Sequence, residues 1–111
     1  MREVRLIGPR GLVLRAFMPE IRRERMRGFL DRSTIDDNQG LLLKRTRSIH
    51  TFGMRLPISV AMLDRDFVVR DVRPLRPCRF LLPRPGVRHI LECAEGADLQ
   101  PGDRLRIVQA D

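Results

Sequence analysis

The chain has 111 residues, of which 42% are apolar and 32% charged, and its formal charge is +8. That length is typical of one domain with a substantial core, and the even spread of charge along the chain disfavours disorder. No apolar stretch approaches a membrane span and no signal-peptide core begins the chain, which predicts a cytoplasmic protein.

The first half of the chain predicts two strands, a helix and a third strand. Residues 3–7 and 11–17 are two largely apolar segments around the turn cluster GPRG, as in a hairpin. A helix is expected to begin at Pro19, because the segment PEIRRERMRGFL groups its apolar residues on one broad face and places Pro and Glu in the first turn. A polar loop then leads to Gly40 and the short apolar strand LLLKR.

The second half predicts β-structure. The segment TRSIHTFGM is expected to be extended, and ISVAMLD and FVVRDVR predict a hairpin around Arg65 and Asp66. The proline-rich PLRPCRFLLPRPG predicts an extended crossover over the sheet, and VRHILECAEG and RLRIV predict the last strands. Residues 1–111 are therefore expected to form a single mainly β (α+β) domain, a small antiparallel β-barrel or sandwich of about seven short strands with one helix in the N-terminal half.

The basic residues, cysteines and histidines favour neither a nucleic-acid partner nor a metal. Lys44 is the only lysine, the arginines alternate with acidic residues, and Trp and Tyr are absent, so few stacking platforms for nucleic acid can be built. Cys78 and Cys93 form no C-x-x-C pair, and His50 and His89 lie far apart in the sequence. Two reduced, mostly buried thiols, no metal and no cofactor are expected.

Five segments form a recognisable series: RRERMRGFLDR, QGLLL, HTFGMRLPISVAMLD, VVRDVRPLRP and HILECAEGADLQPGDRL, which together span about residues 20–108. In that order and spacing they resemble a bacterial and archaeal family named domain of unknown function 192. The most specific part is HTFGMRLPI followed by an apolar strand that ends in Leu63 and Asp64. The resemblance implies a small, mostly antiparallel β-structure with a short N-terminal helix, and it implies no established activity.

Two positions depart from the pattern of that family. The family usually has an aspartate where this chain has Ser59, and often an aromatic residue where this chain has Cys78. A hydroxyl cannot replace a carboxylate as a metal ligand or as a general base near neutral pH, and it keeps only a hydrogen-bonding role. The resemblance therefore favours binding over catalysis at this position.

The segment HTFGMRLP contains Gly and Pro where a plain core strand favours neither, so we interpret it as the wall of a groove beside the proline-rich crossover. Candidate residues also have structural interpretations. His50 also fits a histidine whose hydrogen bonds are made within the protein, Phe52 and Met54 fit core packing, and Arg55 fits a solvated arginine. Glu92 also fits a salt bridge with Arg76. The candidate ligand-binding residues are His50, Thr51, Phe52, Met54, Arg55, Ser59, Arg76 and Glu92.

The favoured hypothesis is a non-enzymatic binding domain whose groove holds a small polar ligand, a glycan or an extended peptide. The second hypothesis is a hydrolase that uses His50 with Glu92, although no nucleophile, metal set or phosphate loop is evident. The third is interaction with nucleic acid or a partner protein through the arginine-rich surface. No catalytic residue is assigned, and the sequence leaves the oligomeric state open.

Overall fold

Strand pairing organises the described part of the chain. The computed structural model describes residues 2–20, 29 and 33–109, and every regular element within them is a strand. The nine strands there are β1 (Arg2–Ile7), β2 (Val13–Met18), β3 (Gln39–Leu43), β4 (Ile49–His50), β5 (Ile58–Leu63), β6 (Val69–Leu75), β7 (Phe80–Leu81), β8 (His89–Cys93) and β9 (Arg106–Gln109). The predicted helix falls mainly on residues 21–28 and 30–32, which lie outside the described residues. Within the described ranges, no helix has the length and apolar character needed to cross a membrane.

Seven strands form one sheet in the order β6-β5-β8-β3-β2-β1-β9, and β4 pairs with β7 in a separate ribbon. All the paired strands run antiparallel except β2 and β3, which are parallel with Ala16 opposite Gly40. Parallel neighbours need a long crossover connection, and residues 19–38 supply it. The prediction of an antiparallel fold is therefore wrong for this pair, because apolar periodicity identifies strands and not their distant neighbours.

The sheet is not closed into a barrel, which corrects the barrel prediction. Its edge strands β6 and β9 approach each other at one end, where the Val69 N–H donates to the Asp103 carbonyl at 2.7 Å and the Leu105 N–H to the Phe67 carbonyl at 2.9 Å. Further along, β6 contains Pro74, which has no N–H to donate and is found in sheets mainly on edge strands. The pairing therefore does not continue along β6, and the sheet stays open there.

Both hairpins expected from the sequence are present. β1 pairs with β2 along its whole length, and β5 pairs with β6 with one register shift between Met62 and Leu63. Asp64 shapes the second turn, because its Oδ1 accepts the backbone N–H groups of Asp66 at 2.9 Å and Val68 at 3.0 Å. An aspartate that bonds the backbone two residues ahead is a common device for turning a chain.

The central strands β5, β8 and β3 are covered on both faces. Side chains alternate along a strand, so Leu42 and Leu91 lie on one face, here called face 1, in an apolar cluster with residues of β1 and β2. Leu41 lies on the opposite face, face 2, in a second cluster that includes Met54 and Leu81. Burial on both faces explains the continuous apolar run LLL. Leu81 of β7 and Ile49 of β4 belong to the cluster of face 2, so the β4–β7 ribbon lies over that face.

Candidate functional site

The β4–β7 ribbon holds the segment 50–57 against the proline-rich crossover. Ile49 pairs with Leu81, and His50 pairs with Phe80. The first pair packs on the apolar cluster of face 2, whereas His50 and Phe80 are exposed. The pleat of this short ribbon therefore presents two rings outward.

Thr51 fastens the two segments together. The residue is 1% exposed, and its Oγ1 donates to the Arg76 carbonyl at 2.5 Å and accepts the Arg79 N–H at 2.9 Å. Its backbone N–H donates to the Arg79 carbonyl at 2.9 Å, and its carbonyl accepts the Cys78 N–H at 3.1 Å. Thr51 thus directs its polar groups toward the crossover and not toward solvent.

Three rings lie over this connection, and we call them the aromatic platform: His50, Phe52 and Phe80. His50 stacks on Phe52 with centroids 5.2 Å apart, and Phe52 meets the edge of Phe80 at 4.9 Å. The His50 Nδ1 accepts the Phe52 N–H at 3.3 Å, which orients the imidazole. Phe52 is 44% exposed and Phe80 64%, and nearby Leu82 is also exposed. Clustered exposed apolar side chains mark interaction surfaces on soluble proteins.

A cavity of about 380 Å³ opens beside the platform, lined by Pro74, Leu75, Arg76, Arg79 and Phe80. Among the described residues, the Arg79 Nη1 reaches only the carbonyls of Pro77 and Cys78, each at 3.4 Å, which is long for a hydrogen bond. The Arg76 side chain has no ion-pair partner within the described ranges. Two exposed guanidinium groups therefore border the rings.

Three other predicted site residues do not share this arrangement. Met54 is buried in the apolar cluster of face 2, as its core-packing interpretation requires. Ser59 pairs with Cys93, which belongs to the face 1 cluster, so the sheet separates Ser59 from the platform. Arg55 is exposed in the turn that follows Met54. Ser59 is close to the platform residues in sequence, but alternation along β5 places its side chain on the other face of the sheet.

Glu92 is buried on face 2, with Leu41 and Val60 directly opposite it on the neighbouring strands. Within the described part of the chain its carboxylate has no hydrogen-bond or ion-pair partner, so neither Arg76 nor His50 is bound to it. Burial raises the pKa of Glu92 to about 7. The Glu92 carboxyl therefore keeps its proton at pH values at which an exposed glutamate is ionised.

The second histidine and the cysteines have structural settings. His89 is 8% exposed, stacks on Phe67 at 4.5 Å and accepts the Arg45 N–H at Nδ1 at 3.0 Å. Burial, followed by nearby positive charges, lowers the pKa of His89. Cys93 is buried, but Cys78 is exposed at a turn where its φ is 62°, so the prediction of two mostly buried thiols holds for one. No set of three potential metal ligands occurs among the described side chains.

Sequence reasoning missed Phe80 and Arg79. The available signal is the triplet Phe80, Leu81 and Leu82 in the proline-rich segment, where only the middle side chain is buried. A strand of two residues is too short to show alternation reliably, and its partner β4 is equally short.

Comparison with known proteins identifies a family and related proteins. The family DUF192, described as "Uncharacterized ACR", matches residues 8–107. The "UPF0127 protein PH1112" of Pyrococcus horikoshii is 38% identical over 63 residues, which cover 53% of this chain and 55% of that protein. The match therefore spans about half the length of this curated relative.

Two solved structures share the fold. A "putative transcription regulator (R01717)" from Sinorhizobium meliloti 1021 superposes with a TM-score of 0.77 at 24% identity, over 96% of this chain and 92% of that chain. A protein of unknown function from Novosphingobium aromaticivorans DSM 12444 superposes with a TM-score of 0.75 at 18% identity, over 94% and 83% of the two chains. At these identities the likeness establishes the fold alone.

Proposed function

This chain belongs to the DUF192 family, and we propose that it is a non-enzymatic binding domain whose aromatic platform holds an extended peptide with an acidic residue beside an apolar one. The observation that carries the proposal is the exposed cluster of His50, Phe52 and Phe80, which Thr51 fixes from below. Rings held in place before binding lose little conformational freedom when a ligand arrives.

The residue types at the platform favour a peptide. Aromatic residues and arginine are enriched where proteins bind one another, whereas lysine is depleted, and the platform combines Phe52 and Phe80 with Arg76 and Arg79. An apolar side chain of the peptide would pack against the rings, and its carboxylate would accept paired hydrogen bonds from a guanidinium. Within the described ranges each strand of the ribbon pairs with one other strand, so an extended peptide can also bond along its edge.

The predicted site residues divide between the platform and its support. His50, Phe52 and Arg76 are proposed to meet the ligand, Thr51 positions them, and Arg55 lies outside the proposed contact. Buried Met54 supports the segment from face 2. Ser59 and Glu92 have no direct role in the proposed contact. A glycan or a small polar ligand would use the same rings and guanidinium groups, and the test below separates these ligands from a peptide.

A set of short fluorescent peptides tests the proposal. One group alternates Glu with Leu or Phe, a matched group replaces Glu with Lys, and neutral and acidic oligosaccharides complete the set. We expect the Glu peptides to bind, and their dissociation constants to rise about tenfold or more in Phe52→Ala and Phe80→Ala. The control is Val13→Ala, which removes another exposed apolar side chain, 48% exposed on β2, and should leave the affinity unchanged.

The variants should unfold at nearly the same temperature as the parent protein, because both rings are partly in water. Unfolding of both ring variants would show that the platform is core and would contradict the proposal. If the Lys peptides bind as tightly as the Glu peptides, Arg76 and Arg79 do not select for an acidic residue. Oligosaccharide binding with the same dependence on Phe52 and Phe80 would replace the peptide by a glycan.

A further inference from the structure

A second cavity, of about 440 Å³, lies at the other end of β5 from the platform. The platform cavity includes Leu75, which pairs with Ile58 at the start of β5, whereas the second cavity includes Asp64, just after its end. Six residue steps along the chain, from Ile58 to Asp64, separate the two sites by roughly 20 Å. We call this cavity the arginine cleft, and its charged residues are Arg47, Asp64, Arg65, Asp66, Arg70 and Arg88.

The two aspartates offset only part of the positive charge of the cleft. Asp64 already accepts two backbone N–H groups through Oδ1, and its Oδ2 lies 3.9 Å from the Arg70 Nη1, which is beyond hydrogen-bonding distance. Asp66 forms no ion pair within the described ranges. Four guanidinium groups therefore face two carboxylates, and the cleft keeps a positive charge.

The arginines have few acceptors of their own. In the described part of the chain, the Arg47 Nη2 donates only to the Arg84 carbonyl, at 3.4 Å. The side chains of Arg65 and Arg88 are exposed and have no ion-pair partner in the part of the chain that the structure describes. Each guanidinium offers several N–H donors in a fixed plane, so among the described residues the donors of the cleft outnumber their acceptors.

The backbone that carries these arginines is held in place. The Arg88 N–H donates to the Leu63 carbonyl at 2.8 Å, and the Val87 N–H donates to the Arg84 carbonyl at 3.2 Å. Gly86 has a φ of 83°, a left-handed conformation in which a larger side chain would be strained. Val87 is 3% exposed and gives the cleft an apolar floor.

We propose that the arginine cleft binds a diphosphate or triphosphate group, a function separate from that of the aromatic platform. Guanidinium groups pair with phosphate oxygens through two parallel hydrogen bonds, and a bound polyanion would offset the net positive charge that the two aspartates leave in the cleft. The volume lies within the range of small-molecule sites. Among the described residues no aromatic ring lines the cleft, and Phe67, next to Asp66 in the sequence, is already stacked on His89, so the cleft is suited to the phosphate chain and not to a base.

Titration calorimetry at low salt tests this site with three probes: sodium tripolyphosphate, adenosine triphosphate and a single-stranded oligothymidylate. We expect one molecule of either triphosphate to bind per chain. The double variant Arg65→Gln/Arg88→Gln should weaken both by about tenfold or more. The control Arg2→Gln/Arg15→Gln removes the same charge from exposed positions of β1 and β2, and should change the affinity by less than about twofold.

The two triphosphate arms separate the sources of the phosphate. Equal affinity for both probes supports recognition of the free chain, and tighter binding of the nucleotide supports a nucleotide. Three results would overturn the proposal: no binding of either triphosphate, equal loss in the control variant, or binding of the oligonucleotide alone. Circular dichroism checks that the variants fold, and Arg47→Gln provides an independent substitution. Amide shifts confined to residues 64–68 and 86–88 would place the ligand away from Phe52 and Phe80.

Discussion

The Thr51 hydroxyl donates a 2.5 Å hydrogen bond to the carbonyl of Arg76, and this bond joins the segment 50–57 to the proline-rich crossover. The same oxygen accepts the Arg79 N–H, so one buried side chain satisfies two backbone groups of the crossover. A threonine that the sequence suggests as a ligand contact is thus a positioning residue beneath the rings.

Thr51→Val should lower the free energy of unfolding by about 1–3 kcal/mol, because the Arg79 N–H and the Arg76 carbonyl would lose a partner in a buried setting. Urea unfolding followed by circular dichroism measures the change. The control is Thr46→Val, because the Thr46 hydroxyl donates an exposed hydrogen bond to the Lys44 carbonyl at 3.2 Å and to no other described residue. We expect that change to stay within about 0.5 kcal/mol. Equal effects of the two substitutions would show that the Thr51 bonds contribute nothing specific.

Glu92 should make the protein less stable as the pH rises from about 4.5 to about 7. In this range the folded state retains a proton that the unfolded state has released, because burial raises the pKa of Glu92 to about 7. Stability therefore falls by about 1.4 kcal/mol per pH unit, or about 3 kcal/mol in all. Glu92→Gln should remove this dependence and should be more stable than the parent at about pH 8.

Urea unfolding at about pH 5 and about pH 8 measures the Glu92 effect. Glu95→Gln is the matched control, because Glu95 is exposed two residues beyond the end of β8. The control should keep the pH dependence of the parent. If Glu92→Gln also keeps it, the carboxyl is ionised in the folded protein and the burial argument fails.

Asp103 and Arg10 should stabilise the protein above the acid range. The Arg10 Nη2 lies 2.7 Å from Asp103 Oδ2, and this bond, aided by the Gln100 N–H, lowers the pKa of Asp103 from its ordinary value of 3.8. The stabilisation is complete above about pH 3.8 and is lost as the pH falls through the lower pKa of the folded state. Asp103→Asn should therefore cost about 1–2 kcal/mol near neutral pH and reduce the acid sensitivity.

Asp98 offers a matched comparison for Asp103, because it pairs with the same arginine at 3.1 Å but its side chain is 57% exposed. Asp98→Asn should cost less than about 0.5 kcal/mol, as exposed ion pairs usually do. Denaturant midpoints at neutral and acid pH compare the two variants. An equal loss of stability in both variants would mean that the buried position of Asp103 does not strengthen its ion pair with Arg10.

Short-range sequence patterns predicted the two hairpins of this fold. The GPRG turn and the turn at Asp64 each join segments of suitable length, and both form hairpins in the structure. The parallel pairing of Ala16 with Gly40 was not predictable in this way, because its partner strand lies beyond the crossover of residues 19–38. Barrel closure likewise depends on how far a twisted sheet curls, and no periodicity in the sequence reports that curvature.

The sequence predicted where the candidate site lies but not all of the residues that form it. His50, Thr51 and Phe52 do lie beside the crossover, and the expected apolar side of the segment is present as Met54. Phe80 completes the platform through a ribbon of two residue pairs, which is too short to predict from alternation. Glu92 looked like a member of a salt bridge, but the sequence could not show that its nearest neighbours across the sheet are Leu41 and Val60.

The open sheet has a consequence for how this protein resists aggregation. An exposed edge strand is a template on which another chain can pair, and long flat edges are the most prone to it. β6 ends near Pro74, which interrupts its row of donors, and it carries exposed Arg70 and Arg73. β9 has four residues and begins with exposed Arg106. Both edges thus combine short unpaired stretches with charged arginine side chains, which would have to lose their water before a second copy could pair edge to edge.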